Sequence, residues 1–399
     1  MSENKGALND LVVLDLTRVL AGPFSSMMLA DLGAEVIKIE IPGTGDDSRQ
    51  FGPFKNGESS YYMNLNRNKK GTTLNLKADE GKEIFLDLVK KADIVIENYR
   101  PGTMEKLGVG YETLKKVNPG IVYGCVSGFG HYGPYKDRAG YDIIGQAMGG
   151  LMSTTGWPDG EPTRTGTAMG DVLAGLSVTI GLLAAIRYRD KTGIGQKVDV
   201  SLVDSVVASL EIINQIYLIE GKIPQRIGNR YESVYPYDSF KAKDGSLVIG
   251  CGNDKLWSKL CKLMGKPELL EDERYNVNSN RVKNNKEIKV IVEEWTIKKD
   301  VDKLIDEMLS AGIPCAPINN IEQVVKDPHI ADAREMFVDI NHPIAGDLKI
   351  TGSHIKLYET KPEIKTPAPL LGEHNDYVLK KYLEYDEEKI EELKDKNII

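Results

Sequence analysis

The stretch Leu11-Val12-Val13-Leu14-Asp15-Leu16 decides the fold. It is short, apolar and made almost wholly of valine and leucine, the pattern of a strand buried on both faces of a parallel sheet. Ala21-Gly22-Pro23 breaks it, Phe24 to Leu32 then carries apolar residues at helical spacing, and Gly33 stops that run. Glu35-Val36-Ile37-Lys38-Ile39 is a second short strand. Together these segments make one β-α-β unit.

Outward from this unit the scheme repeats. Thr72 to Leu76 reads as a strand, Asp79 to Lys91 as a helix, Asp93 to Ile96 as a strand, and Ile121 to Val126 as another after the Pro119-Gly120 turn. Strands alternating with helices predict a mainly parallel sheet covered on both faces, hence a doubly wound α/β domain over residues 1–215. The chain has 399 residues, more than the ~250–300 at which single cores stop growing, so a second domain is expected. After Leu218 the pattern changes: turn formers and tyrosines fill Pro224 to Tyr237, Leu247 to Cys251 is a strand, and Leu256 to Met264 and Val301 to Ser310 look helical. Residues 225–330 are therefore expected to form a smaller α+β domain, and 335–399 a segment returning to the large one.

A formal net charge of -8 leaves no excess of Lys and Arg to neutralise phosphates, so nucleic acid is excluded as a partner. Cys125, Cys251, Cys261 and Cys315 form no C-x-x-C pair and no disulfide framework, which predicts a reducing, cytoplasmic setting. Met1 to Asp10 lacks the apolar core of a secretion signal. The uncharged run Val172 to Ile186 is shorter than the ~18–20 residues of a membrane span. It predicts a helix buried on all sides, and no membrane partner.

Gly128, Gly130 and Gly133 spell G-x-G-x-x-G after a strand, but Pro134 and the turn residues Lys136 to Gly140 follow where a dinucleotide fingerprint needs a helix. These glycines are read instead as a loop that approaches something closely. The five histidines are scattered, without a metal-ligand pair, so no metal is expected. Asp171 follows Gly166-Thr167-Ala168-Met169-Gly170 and precedes the apolar helix. An Asp in that place is a preferred N-cap, and the helix dipole is expected to hold it ionised, the nucleophilic form of a carboxylate. Gly170 is expected to leave room for a bulky substrate. Tyr141-Asp142, at the end of a loop, is either an acyl-orienting pair or a turn with a packed ring.

Eight blocks, taken in order, carry a family resemblance: Leu14 to Pro23, Leu32 to Glu40, Asn64 to Lys70, Glu97 to Gly102, Ser127 to Gly130, Gly170 to Gly175, Gly228 to Arg230 and Pro369 to His374. Their sequence and spacing resemble the family III CoA transferases, the formyl-CoA/carnitine CoA transferase family. The resemblance implies an enzyme with a Rossmann-like large domain plus a smaller α+β domain, in an interlocked homodimer. It implies Asp171 as the covalent nucleophile, and CoA bound at Val19, Leu20, Ala21, Leu74, Lys77, Asn98, Tyr99 and Lys106. The partners it implies are an acyl-CoA and a free carboxylic acid. The CoA thioester is then a substrate, with no tightly bound cofactor. Tyr141, Asp142 and Gly252 are candidates to orient the acyl group. The formyl-CoA enzymes carry Arg where Lys106 stands, Gln where Leu20 stands, and a glycine run where Gly250-Cys251-Gly252-Asn253 stands.

Within the family the chain looks closest to the (R)-2-hydroxyisocaproate and phenyllactate CoA transferases, which implies a 2-hydroxy acid substrate in amino-acid fermentation. Leu20, Phe24, Met148, Met152 and Trp157 are the apolar candidates for its pocket. Two other readings stay open at this level. One is proton transfer on an acyl-CoA, as in α-methylacyl-CoA racemases, with His131 as the base. The other is a CoA-binding protein without catalysis.

Overall fold

The computed structural model describes residues 6–399, and these form two compact units. The larger comprises the residues up to Met152, Arg164–Lys222 and Pro328–Ile399; the smaller comprises Ser153–Thr163 and Ile223–Asp327.

The larger unit is built on six strands: β1 (Val12–Asp15), β2 (Glu35–Glu40), β3 (Lys70–Thr73), β4 (Ile94–Glu97), β5 (Val122–Ser127) and β6 (Lys197–Ser201). Every neighbouring pair is parallel, and the order across the sheet is β3-β2-β1-β4-β5-β6. The order reverses between β1 and β4, the switch point where open α/β sheets bind ligands beyond the carboxyl ends of their strands. The helices that matter here are α1 (Ala21–Asp31), α2 (Asp79–Val89), α3 (Asp142–Met148), α4 (Met169–Thr192) and, near the C-terminus, α5 (Asn375–Leu383) and α6 (Glu387–Asp395).

Alternation along the strands supplies two cores. Val13, Val36, Ile94, Ile96, Val122 and Val126 pack beneath α1 and α4, against Leu29, Ala174, Val178 and Leu182. Leu14, Ile37, Val95 and Tyr123 face the other way, onto Ile84, Phe85 and Leu88 of α2 and onto Val378 and Leu393 of the C-terminal helices. Each fully buried aliphatic side chain contributes about 1.5–3 kcal/mol, so the near-continuous apolar runs read from the sequence are what double coverage requires. Strand β6, Lys-Val-Asp-Val-Ser, is a half-buried edge strand with no apolar run.

Helix α4 corrects one expectation. Val178, Leu182 and Ala185 are buried against the sheet, but Ser177, Ile180 and Ala184 are exposed, Ile180 at 68%. One face is therefore open. The helix is long and apolar enough to cross a membrane by composition, yet it lies along β5 and β6 as a cover of the sheet. It ends where Gly193 turns left-handed (φ +74°) and its amide returns to the Arg189 carbonyl at 2.7 Å, the common glycine stop.

In the smaller unit, β7 (Tyr237–Lys241), β8 (Ser246–Gly250) and β9 (Cys315–Pro317) form an antiparallel sheet in the order β9-β8-β7. Its core joins Phe240, Leu247 and Ile249 to Trp257, Leu260, Ile288, Val292, Leu304 and Met308. Arg281 is fully buried there. It donates to the carbonyls of Tyr235 and Tyr275 and pairs with Asp254 at 2.5 Å. The segment Ser153–Thr163, expected within the 1–215 block, packs with this unit: a Cβ on Gly228 would lie 2.5 Å from the Trp157 ring.

Candidate active site

Two loops meet at the switch point, residues 18–21 after β1 and 98–101 after β4. Val19 has φ +66°, a left-handed conformation that costs a β-branched residue about 1–3 kcal/mol. Side chains from elsewhere hold it there. The Val19 amide donates to Asp46 Oδ1 at 3.1 Å, while Asn98 clasps Arg18, accepting its N–H at 2.7 Å and donating to its carbonyl at 2.8 Å.

Beneath these loops lie four charges removed from water. Lys38 pairs with Asp46 at 2.8 Å and donates to the Thr17 carbonyl, and Lys69 pairs with Asp15 at 3.0 Å. Burial alone would raise the Asp15 carboxyl. Lys69, Lys38 and the hydroxyls of Ser26 and Thr17 outweigh it and hold the group well below the usual carboxylate range. Burial also pushes the Lys69 amine down to about 8. Such groups are tolerated only as a paired, fully hydrogen-bonded set. Here the set is the platform of a strained loop.

Asp171 stands in the first turn of α4, not at its N-cap. The cap residue is Ala168, which has no side chain to offer. Asp142, the first residue of α3, supplies the missing acceptor: its Oδ1 takes the Gly170 N–H at 2.8 Å and its Oδ2 takes Gln146 Nε2 at 2.7 Å. A Cβ at Gly170 would lie 3.0 Å from Asp142 Oδ1, tight enough that the carboxylate would have to give by a few tenths of an ångström. The room it leaves is for Asp142. Gly175 acts similarly one turn on, letting α4 come against the Ala21 carbonyl and Phe24 of α1. Burial, and then the charge of Asp142, push the Asp171 carboxyl up to about 7. This reverses the expectation that its position would hold it fully ionised.

A cleft of about 330 Å³ brings together Val19, Leu20, Ala21, Asn98, Tyr99, Tyr141 and Asp171. A second, of about 600 Å³, contains Leu74, Lys77 and Tyr99. Arg18, Tyr99 and Thr103 line both, so the two open onto shared walls. Lys106 is exposed and lines neither, although Thr103 and Leu107 of the same turn face the second cleft. Asn98 has its side chain engaged by Arg18, so it shapes the cleft as much as it lines it. Gly252 lies in the smaller unit after β8, with open space where a Cβ would be. Of the apolar candidates, Leu20 lines Asp171's cleft and Phe24 packs with Met27, Met28 and Leu65. Met148 is 47% exposed on α3, Met152 lines neither cleft, and Trp157 belongs to the smaller unit.

The glycine motif has a structural role. A Cβ on Gly128 would lie 2.6 Å from Gly140 Cα, so the 127–130 and 138–141 loops touch backbone to backbone at the cleft wall. His131 does not line the cleft. Its Nδ1 lies 2.9 Å from Lys197 Nζ, and its Nε2 is buried without a hydrogen-bond partner, 3.7 Å from Glu97 Oε1. Glu97, Cys125 and His131 place their ligand atoms within 4.8 Å of one another. The other ring nitrogen, Nδ1, faces the Lys197 ammonium at 2.9 Å, so a cation already stands beside this cluster. Burial pushes Glu97 up to about 7, and its Oε2 accepts the Tyr99 amide at 2.7 Å, anchoring the second cleft-lining loop.

Three groups escaped the sequence. The Tyr61 phenol is pushed up to about 12 by burial and by the charges of Asp171, Asp46 and Asp142, which marks it as a neighbour of the Asp171 carboxylate. Arg100 and Arg138 line Asp171's cleft. No spacing pattern announces any of them.

Residues 8–375 match the family model described as CoA-transferase family III. The chain is 42% identical over 387 residues to a succinyl-CoA:glutarate CoA-transferase of Mus musculus, covering 97% of this chain and 88% of that protein. It is 42% identical over 384 residues to a succinyl-CoA:mesaconate CoA-transferase of Haloarcula marismortui, covering 94% and 96%. The crystal structure of a CaiB/BaiF family protein from Brucella suis superposes with a TM-score of 0.84 at 38% identity, covering 95% of this chain and all of that one.

Proposed function

The chain belongs to CoA-transferase family III and moves CoA between an acyl-CoA and a carboxylic acid; from that premise we propose that Asp171 is its covalent nucleophile and that its acids are short dicarboxylates, with succinyl-CoA as donor. The observation that carries the first part is the placing of Asp171 in one cleft with Val19, Leu20, Ala21, Asn98 and Tyr99. The second part replaces the 2-hydroxyisocaproate expected from the sequence. The relatives reported above are named for glutarate and mesaconate, both dicarboxylic acids.

The chemistry is an exchange of one thioester for another. The ionised Asp171 carboxylate attacks the thioester carbonyl of the donor, and the C–S bond breaks to give a mixed anhydride and CoA thiolate. The thiolate attacks the aspartyl carbonyl, releasing the donor acid and leaving an aspartyl-CoA thioester. The incoming carboxylate attacks that carbonyl and expels the thiolate. The thiolate then takes the new acyl group and regenerates Asp171. No step consumes ATP. Gly128 and Gly140 bring backbone to the cleft, where amide N–H groups stabilise the tetrahedral oxyanions. The 600 Å³ cleft, with Leu74 and Lys77, takes the remainder of CoA.

A carboxyl group titrating near 7 is a stronger nucleophile once ionised than one titrating near 4, at the cost of being about half protonated at neutral pH. We extend the proposal to a cytoplasmic, interlocked homodimer. The exposed apolar residues Ile180, Leu218 and Ile219 support a second copy of the chain as partner, and light scattering tests it.

The deciding experiment is CoA exchange by purified wild type and Asp171→Ala, with succinyl-CoA as donor and glutarate, mesaconate, 2-hydroxyisocaproate and formate as acceptors. The proposal expects the dicarboxylates to be preferred and the variant to be folded and inactive. Substantial exchange by the variant removes Asp171 from the role; preference for the hydroxy acid removes the dicarboxylates.

A further inference from the structure

We propose that Arg138 is a specificity-determining residue that binds the distal carboxylate of a dicarboxylic substrate while the other carboxyl group reacts at Asp171. The inference rests on the dicarboxylate reading above.

Three arginines line Asp171's cleft: Arg18, Arg100 and Arg138. Arg18 is ion-paired with Asp47 and also lines the second cleft. Among the described residues no carboxylate pairs with Arg100 or Arg138. A guanidinium that faces a cleft without a carboxylate partner is placed for an anion from outside the chain.

Position separates these two. Arg100 follows Tyr99 and stands three residues before Thr103, and both of those neighbours line the two clefts in common. Arg100 itself lines only Asp171's cleft, but it sits between two residues of the shared wall. Arg138 opens the run Arg138-Ala139-Gly140-Tyr141, all of which lines Asp171's cleft and none of which lines the second. The next residue, Asp142, is tied to the first turn of α4 through the Gly170 amide. Arg138 is thus carried on the backbone that is fastened to Asp171's helix.

The side chain is held ready. Its guanidinium carbon stacks 3.6 Å from the centroid of the Tyr135 ring, and Tyr135 meets Phe129 edge-on at 6.0 Å. Stacking occupies one face of the guanidinium and leaves its edge N–H groups, the part that a bidentate carboxylate engages, off the ring. The need for a cation follows from the site itself. Asp171 and Asp142 lie together, so an anionic substrate meets two carboxylates unless a positive group offsets them. A cleft of about 330 Å³ suits a short chain between the reacting carbonyl and that cation.

The test compares glutaryl-CoA with valeryl-CoA, thioesters that differ only in the distal carboxylate, in the full-length enzyme and in Arg138→Met and Arg138→Lys. Methionine keeps a stem to pack on Tyr135. Wild type is expected to favour glutaryl-CoA in kcat/KM. Arg138→Met is expected to lower that preference on the order of 10- to 100-fold, the cost of an unmade charged hydrogen bond, through glutaryl-CoA alone. Unchanged kinetics with valeryl-CoA would confirm that the variant is folded. Arg138→Lys should fall between, keeping the charge without the fork. An equal loss with both thioesters would assign Arg138 to CoA and overturn the proposal, as would a preference that the variant retains. A wild type indifferent to the distal carboxylate would overturn the dicarboxylate reading and this proposal with it.

Discussion

The Asp142 carboxylate accepts the Gly170 amide at 2.8 Å, so the residue that caps α4 is a second acid lying against the proposed nucleophile. A cap of this kind does two things at once. It satisfies an N–H that Ala168 cannot reach, and it sets a like charge beside Asp171.

The first prediction concerns pH. The proposed nucleophile attacks only when ionised, so activity should be lost as pH falls through about 7. Asp142→Asn keeps an oxygen for the Gly170 amide while removing the charge, at the expense of the bond from Gln146. The acid limb of kcat/KM should move to lower pH by on the order of one unit. Burial, the larger cause, stays in place, so it should not return to the ordinary carboxylate value. A limb that does not move would mean that Asp142 exerts no influence on the ionisation that matters.

The second concerns stability at the same carboxyl. Its folded value lies above the unfolded one, so its contribution is full below about 4 and is lost as pH rises through about 7. Asp171→Asn should therefore melt higher than wild type at pH 8, by about 1 kcal/mol at the transition. The two should converge near pH 4. Thermal melts at the two pH values check this, and a variant less stable at pH 8 would contradict it.

The buried platform gives the third. Lys38→Met leaves Asp46 in the interior without its ammonium, which typically costs about 3–5 kcal/mol. It also frees the acceptor that holds Val19 left-handed. Urea unfolding should show the loss. A change below about 1 kcal/mol would mean that Asp46 is not committed to Lys38.

The fourth uses the Gly128–Gly140 contact. Gly128→Ala places a methyl group 2.6 Å from Gly140 Cα, and backbone must move to admit it. Two walls of the cleft shift together, so kcat should fall on the order of 100-fold while stability falls by only about 1–3 kcal/mol. Wild-type turnover in this variant would show that the contact is dispensable for the site.

What the sequence disclosed follows from how local each cause is. Strands β1, β4 and β5 are legible because burial on both faces forces apolar runs. The strand expected at Thr72 to Leu76 lies instead at Lys70–Thr73, an edge strand of Lys-Gly-Thr-Thr with no such run. Lys197 to Ser201 is not legible, since an edge strand alternates charge with valine and resembles a loop. Asp171 was legible as the head of an apolar helix. Its cap was not, because Asp142 comes 28 residues earlier and tertiary packing alone brings it there. The G-x-G-x-x-G glycines are followed by a turn and not by a helix, and the partner of Gly128 is Gly140, which no motif names. Trp157 falls in the smaller unit because Gly228 gives its ring a seat, a contact between distant segments. Arg138 stood in plain view as a turn residue. Its lack of a carboxylate partner is a property of the folded surroundings and has no sequence signature.

Covalent activation of Asp171 by the thioester is the central proposal, and trapping measures it directly. Enzyme is incubated with succinyl-CoA alone, treated with borohydride or hydroxylamine, digested and sequenced by mass spectrometry. The predicted result is the peptide around Asp171 carrying homoserine after borohydride, or a hydroxamate after hydroxylamine, dependent on the thioester and absent in Asp171→Ala. An unmodified Asp171 peptide from enzyme that is turning over, or a mark on a different carboxylate, would contradict it.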